Sequence, residues 1–294
     1  MTDVHPCVYL LDGSSYVFRA FFALPPLSNA AGLPTHAIYG FTTMTLSFLK
    51  SRQPKYVAVV LDAGRETFRN EIYPDYKGNR PEAPPDLIPQ FPYIRKILEA
   101  LNLPALELDG FEADDLIATL SRVYASQGTE VVIVSGDKDF MQLVSTKIKL
   151  LDTAKKKWVG VEQVKEKFGV EPSEVVEVMG LLGDSIDNIP GVKGIGIKTA
   201  TVLIQKYHSL ENLFDHLDEL ERTGLKGPDR IRSALISGKE SAYLSRRLAT
   251  VRTDVPIRVD LEQLIYQSPS KEKLRGLFAE LEFTQLLRGL DSAE

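Results

Sequence analysis

The sequence predicts an α/β fold: a central, mainly parallel sheet with flanking helices, followed by a helical region. Three observations carry that prediction. Val8-Tyr9-Leu10-Leu11, Tyr56-Val57-Ala58-Val59-Val60-Leu61 and Val131-Val132-Ile133-Val134 are β-branched apolar runs without alternation, as strands covered on both faces require. Helical patterns over 37–50, 93–101 and 113–126 lie between or beside them, the order of a parallel sheet with crossover helices. From about Val161 the strand signal fades and helical patterns at 162–168, 173–182, 198–207 and 241–249 dominate. A body over 1–175 and a helical region over 176–294 are therefore expected.

The 294 residues suffice to bury at least one sizeable core. With 44% hydrophobic and 26% charged residues, collagenous, coiled-coil and wholly disordered chains are excluded. No apolar run approaches the roughly 18 residues of a membrane span, and no basic segment precedes the short apolar run at 8–11. Neither a membrane span nor a secretion signal is expected. The single cysteine, Cys7, excludes an internal disulfide and multi-cysteine metal sites, and it fits a reducing, cytoplasmic compartment.

Residues 73–92 form the odd stretch. Pro81, Pro84, Pro85, Pro89 and Pro92 exclude a continuous helix or central strand, while Tyr76, Lys77, Gly78 and Arg80 have exposed-loop chemistry. A mobile excursion over the body is expected there.

Each predicted strand runs into carboxylates: Asp12 after the first, Asp62 after the second, and Asp137 and Asp139 in Ser135-Gly136-Asp137-Lys138-Asp139 after the third. The carboxyl ends of parallel strands share one edge, where open α/β folds bind ligands. Glu112-Ala113-Asp114-Asp115 opens a helix, and i,i+3 spacing brings Glu112 and Asp115 to one face while Asp114 points elsewhere. Asp184 and Asp187 repeat that spacing after a helix end. Singly, each acid reads as a turn residue or a helix N-cap. Together, like charges on one edge repel and raise each other's pKa unless a cation binds among them.

Oxygen donors without cysteine select hard ions, Mg²⁺ or Mn²⁺. His5, His36, His208 and His216 are scattered and read as surface or structural residues. Nine carboxylates exceed what one Mg²⁺ takes, so two ions are expected, an arrangement suited to phosphodiester hydrolysis. Competing chemistries fail on particular residues. Ser14 and Ser15 have no identifiable histidine partner and read as small turn residues, and the position two after Asp12 is Ser14 rather than a second acid. Gly191, Gly194 and Gly196 have GxxGxG spacing, which is not the dinucleotide fingerprint, and no Walker A loop is present.

The segment 188–200 is a glycine turn leading into a helix. Backbone N–H groups around Gly191, Gly194, Gly196 and Thr199 can hold a phosphate there, with charge from Lys193 and Lys198. An ordinary turn between helices is the alternative. Lys155-Lys156-Lys157 reads as a solvated turn. The net charge of −5 runs against a nucleic-acid binder, but without the nine acids 35 basic residues face 31 acidic ones, which leaves the rest of the chain mildly basic.

These residues resemble, along the whole chain, the 5′-nuclease or flap endonuclease superfamily, most closely the N-terminal 5′–3′ exonuclease domain of bacterial DNA polymerase I. The resemblance rests on Leu11-Asp12-Gly13-Ser14-Ser15-Tyr16 with Arg19-Ala20, Phe68-Arg69, Tyr76-Lys77 with Arg80-Pro81, Glu112-Ala113-Asp114-Asp115, Gly136-Asp137-Lys138-Asp139 and Gly183-Asp184-Ser185-Ile186-Asp187-Asn188-Ile189-Pro190-Gly191-Val192. Ala242-Tyr243-Leu244-Ser245 and Leu248-Ala249-Thr250 add to it.

The resemblance implies an arch over 73–92 and a helix–hairpin–helix over 183–206 that grips duplex DNA. It implies a first metal group of Asp12, Asp62, Glu112, Asp114 and Asp115 and a second of Asp137, Asp139, Asp184 and Asp187. Lys77 and Arg80 would act at the scissile phosphate, Arg19 and Tyr76 on the 5′ strand, and K⁺ would bind hairpin carbonyls. The function expected is cleavage of 5′ flaps, 5′ ends and RNA primers at single-strand/duplex junctions by a monomer, alone or within a polymerase precursor. The alternatives are a catalytically silent junction-binding module and a related metal-dependent ribonuclease.

Overall fold

The computed structural model describes residues 6–291; His5 lies outside them. Six strands form one sheet: β1 (Cys7–Asp12), β2 (Tyr56–Val60), β3 (Ala105–Leu106), β4 (Glu130–Val134), β5 (Ile148–Asp152) and β6 (Lys157–Val159). Their order is β3-β2-β1-β4-β5-β6, and all pairs are parallel except β5–β6. The chain winds outward from β1 in one direction through β2 and β3 and in the other through β4 and β5. The β1/β4 junction is thus the topological switch point, where such sheets open a crevice at the strand carboxyl ends.

Apolar side chains leave the central strands on both faces. Val8, Leu10, Val60, Val131 and Ile133 enter one core with the helix Ala113–Ser126, while Leu11, Val57, Val59, Val132 and Val134 enter the other with the helices Gly13–Ala23, His36–Arg52 and Phe91–Ala100. That two-sided burial is why these runs do not alternate. Gly13 lets the first helix close on β2, since a Cβ there would stand 2.5 Å from Val59 Cγ1.

The predicted helices form at His36–Arg52, Phe91–Ala100, Ala113–Ser126, Val161–Phe168, Val175–Leu182, Ile197–Tyr207 and Lys239–Ala249. Ser14 and Ser15 are not turn residues; they lie in the first turn of Gly13–Ala23, which Asp12 caps. The 155–157 run is a solvated turn closing into β6.

Two expectations are corrected. The helical region over 176–294 does not pack as one unit. Its helix Lys271–Glu280 returns to the body, and Leu274, Phe278, Leu281 and Phe283 join the second core. Nor is 73–92 a free excursion. Its end is a 3-10 turn, Ile88–Gln90, running into the helix that starts at Phe91, where Pro92 falls in the first turn, a position that needs no N–H donor. Buried Gln90 accepts the N–H groups of Ala37 and Ile38 at 2.8 and 3.1 Å, and Leu87 is fully buried.

Candidate active site

The carboxyl ends of β1, β2 and β4 bring Asp12, Asp62 and the 135–139 turn together. Asp12 Oδ1 accepts the Ser15 N–H (2.9 Å) and its Oδ2 accepts the Ser135 hydroxyl (2.7 Å), which itself accepts the Asp137 N–H (3.1 Å). Asp62 lies across the edge, its N–H donating to Ser14 Oγ (2.9 Å) and its Oδ1 accepting the Ala113 N–H (2.8 Å). That last bond ties the start of the Ala113–Ser126 helix to the carboxyl end of β2. Burial raises the Asp12 pKa to about 6, and the charges of Asp137 and Asp62 add to the rise.

Glu112 and Asp115 share one face, as the i,i+3 spacing predicts, and both meet the Arg69 guanidinium, while Asp114 points elsewhere. Asp114 turns to the edge, where burial first and then Asp12, Asp137 and Glu112 push its pKa well up. Asp115 is fully buried and turns away, accepting Arg69 Nη1 and Nη2 at 2.7 and 2.8 Å, the Arg252 N–H at 2.7 Å and the Glu112 N–H at 3.2 Å. Asp115 therefore sits in a saturated ion pair. Glu112 joins both settings. It accepts Lys77 Nζ at 2.7 Å and the Tyr76 hydroxyl at 3.3 Å, with Arg69 Nη1 at 3.5 Å.

On the other flank, Asp139 has its pKa raised to about 7 by burial, then by Asp137, with Asp187 and Asp184 adding. Its Oδ1 is buried without a hydrogen-bond donor. Asp184 is held below the usual carboxylate range: burial opposes its charge, but the Lys138 ammonium and the Ile186 N–H outweigh that. Asp187 pairs with Arg80. Eight of the nine predicted acids thus face one another, and Asp137 couples the two implied groups by acting on Asp12, Asp114 and Asp139.

No carboxylate cage is preformed around either implied ion. Among the described residues no three acids, histidines or cysteines stand close enough to hold one ion as they are. Repulsion spreads the carboxylates, and Lys77, Arg80 and Lys138 supply their counter-charges.

The base of the proline-rich segment is anchored rather than exposed. Tyr76 is only 4% accessible, under Arg69 and Glu112, so the exposed-loop reading of this residue is corrected. The Lys77 N–H donates to the Asp187 carbonyl (2.9 Å), Asn79 to that of Ser185 (2.7 Å) and Asn188 to that of Asp75 (2.7 Å). Burial works against the Lys77 ammonium, but Glu112 and Asp187 outweigh it and raise its pKa. Arg19 stacks on Tyr16, 4.4 Å from the ring centroid, and donates to Thr153 Oγ1 (3.1 Å).

The hairpin is built on two glycines that only glycine can fill. Gly183 and Gly191 both have positive φ, and a Cβ on Gly191 would lie 2.6 Å from Gly183 N. Gly191 is buried and its N–H donates to Ser245 Oγ (2.8 Å), so it is unavailable to a phosphate, contrary to expectation. Lys193, Gly194, Gly196 and Lys198 are exposed, Thr199 is half-buried, and the Ile197–Tyr207 helix starts at Gly196 without a side-chain cap. His36 is buried at a helix start, and His208 and His216 are exposed in the helical region.

Sequence reasoning assigned no role to Ser135, Lys138 or Arg69. Ser135 and Lys138 flank the acids of their own turn, and Arg69 is adjacent to Phe68 in a recognised motif, so proximity in sequence was the only available signal.

Solved structures share this architecture. T5 5′-exonuclease, described with bound divalent zinc, matches with a TM-score of 0.67 at 24% identity, covering 83% of this chain and 89% of that one. The catalytic core of Rad2, described in complex with DNA substrate, matches with a TM-score of 0.64 at 18% identity, covering 95% and 89%. At these identities the likeness is one of fold, and the class it defines is an α/β fold with an acidic sheet edge.

Sequence relationships specify the family. The profile described as "5'-3' exonuclease, N-terminal resolvase-like domain" matches residues 7–169, and "5'-3' exonuclease, C-terminal SAM fold" matches residues 170–272. The chain belongs to the 5′-3′ exonuclease family. It is 42% identical over 284 residues to the 5'-3' exonuclease of Aquifex aeolicus, covering 97% of this chain and 95% of that protein. It is 42% identical over 288 residues to the DNA polymerase I of Bacillus caldotenax, covering 96% of this chain and 32% of that protein. The chain spans about a third of the length of the DNA polymerase I relatives it matches. No described helix is long and apolar enough to cross a membrane.

Proposed function

We propose that the chain is a structure-specific 5′ nuclease. It hydrolyses phosphodiester bonds at 5′ flaps and 5′ ends of duplex DNA, RNA primers included, and leaves a 5′-phosphate and a 3′-hydroxyl. The supporting observation is the acidic edge, where Asp12, Asp114 and Asp139 are held above the usual carboxylate range partly by one another. Such crowding favours a hard divalent cation, and the orphaned Asp139 Oδ1 and the all-oxygen donor set fit Mg²⁺ or Mn²⁺.

Asp12, Asp62, Glu112 and Asp114 would hold one ion and Asp137, Asp139, Asp184 and Asp187 a second. The ions, when bound, supply a hydroxide nucleophile and neutralise the scissile phosphate and leaving oxygen. Lys77 and Arg80 present cationic charge to that phosphate in exchange for their carboxylate partners. Arg80 stays protonated and the Lys77 pKa is raised, so neither serves as a general base. Asp115 positions Arg69, and through it the Glu112 end of the edge. Lys193, Lys198 and the free N–H groups near Gly194, Gly196 and Thr199 hold duplex phosphates, with K⁺ on nearby carbonyls. Arg19 flanks the 5′ strand, while Tyr76, buried under Arg69 and Glu112, supports the base of the proline-rich segment. The chain works as a cytoplasmic monomer in replication and repair, alone or joined to a polymerase domain.

A labelled 5′-flap duplex is cut when Mg²⁺ is added and spared when a chelator follows. Tight junction binding with no cleavage in either Mg²⁺ or Mn²⁺ would replace this reading with that of a silent binding module.

A further inference from the structure

Next to Arg69 in the chain, Phe68 lines a cavity of about 490 Å³ whose walls also include Tyr243, Arg246, Arg247 and Arg252. Its flat surfaces are held in place. Arg252 is paired through two contacts with Asp254 and lies 5.3 Å from the Phe68 ring centroid. Arg246 is tied to Glu177 and Glu211 and lies 5.2 Å from that of Tyr243. Arg247 differs: it is exposed and has no hydrogen-bond or ion-pair partner among the described residues.

Two aromatic rings, two fixed guanidinium planes and one uncommitted cation suit a planar base with a phosphate. A cavity of this volume is in the range that holds a small ligand. Duplex bases are stacked on each other and cannot enter, so the occupant is single-stranded. The position fits as well. Phe68 lies on the helix Phe68–Ile72 that leads into the proline-rich segment. Arg69 lies 4.6 Å from the Phe68 ring centroid and contacts Glu112 and Asp115 with its guanidinium, so one side chain links a wall of the cavity to Glu112 at the acidic edge.

We propose that this cavity binds a nucleotide of the displaced single-stranded 5′ flap, its base against Tyr243 and Phe68 and its phosphate on Arg247. The proposal rests on the 5′-nuclease reading for the identity of the strand.

The test uses the full chain in Ca²⁺, with a duplex bearing a short 5′ flap that contains 2-aminopurine, the same nicked duplex without a flap, and a free oligo-dT. Arg247→Glu and Tyr243→Leu are each expected to weaken flap and oligo-dT binding by about 10-fold, the scale of one lost stacked base or phosphate contact, and to leave nicked-duplex binding within twofold. Quenching of 2-aminopurine on binding is expected to be lost in Tyr243→Leu. Equal effects on flapped and nicked duplexes, or displacement of oligo-dT only by an acidic peptide and not by unlabelled flap, would overturn the proposal. A wild-type chain that binds oligo-dT through Arg247 yet cleaves no flap keeps the cavity and removes the nuclease reading instead.

Discussion

Asp114 and Asp115 are neighbours in the chain and opposites in circumstance. Asp114 stands on the acidic edge, where burial and three other carboxylates raise its pKa and outweigh the opposing charge of Lys77. Asp115 stands in the Arg69 network, with both oxygens on a guanidinium and two backbone N–H groups in support. The first arrangement stores repulsion that a cation relieves; the second is already neutral and joins the Ala113–Ser126 helix to Leu248 and Thr250 through Arg69. One kind of residue serves chemistry where its charge is unmet and architecture where it is met.

The largest expected effect comes from exchanging the two roles. Asp115→Ala removes the bidentate partner of buried Arg69 and leaves it only Glu112 at 3.5 Å, so denaturant melts should show a loss of about 3–5 kcal/mol. Asp114→Asn removes a repelling charge, so stability should hold or rise while single-turnover flap cleavage falls by at least about 10²-fold, the scale of lost transition-state electrostatics. A stable Asp115→Ala protein, or an active Asp114→Asn one, breaks the distinction.

Lys77 and Arg80 sharpen it from the basic side. Both occupy carboxylates that the proposed chemistry requires, and both would pass to a phosphate as its charge grows. Lys77→Ala and Arg80→Ala should each slow single-turnover cleavage by about 10- to 10³-fold while flap dissociation constants in Ca²⁺ change by less than about 10-fold. Rates within twofold of wild type would leave these residues as counter-charges only.

Divalent ions should act on the edge and spare the Arg69 network. At matched ionic strength, millimolar Mg²⁺ should raise Tm. The sign of the pH dependence follows from Asp12 near 6 and Asp139 near 7: folding raises both above unfolded values of about 4, so the chelated protein loses stability as pH climbs through that window. Protonated carboxylates are poor ligands, so the Mg²⁺-induced rise in Tm should grow between pH 5 and 7.5. A rise independent of pH would place the ions elsewhere.

The sheet and the acids at its edge were legible because two-sided burial and strand-end position leave marks in the sequence. That Asp114 rather than Asp115 meets the other acids was not. Glu112 is the extended N-cap, with ψ of 156°, and Asp115 closes a reciprocal capping box with it; the i,i+3 spacing put the two on one face but could not show that buried Arg69 occupies that face. Tyr76 looked exposed because its neighbours are turn residues, while Glu112, which covers it together with nearby Arg69, comes from a distant segment. β3, with two residues, and β6, with three, are too short to carry a pattern. Leu274 and Phe278 could have been read as an apolar helix face, but not as one that returns to the body.

The hairpin is a weaker counterpart to the edge and gives the smallest effect. Lys193 and Lys198 are exposed, without an ion pair or hydrogen bond among the described residues, and flank an uncapped helix start. If each meets one duplex phosphate, each Lys→Ala change should lower the magnitude of the log K against log salt slope by about 1, with little dependence on sequence and no loss of stability. Gly191→Ala should do the reverse. Its Cβ would lie 2.6 Å from the backbone of Leu182 and Gly183, at a φ of 63° that disfavours any side chain, so the fold should weaken before phosphate contacts are affected. An unchanged slope in the Lys193→Ala/Lys198→Ala double variant would reduce the hairpin to a joint between helices. The electrostatic grip on the duplex would then have to come from basic residues elsewhere on the chain.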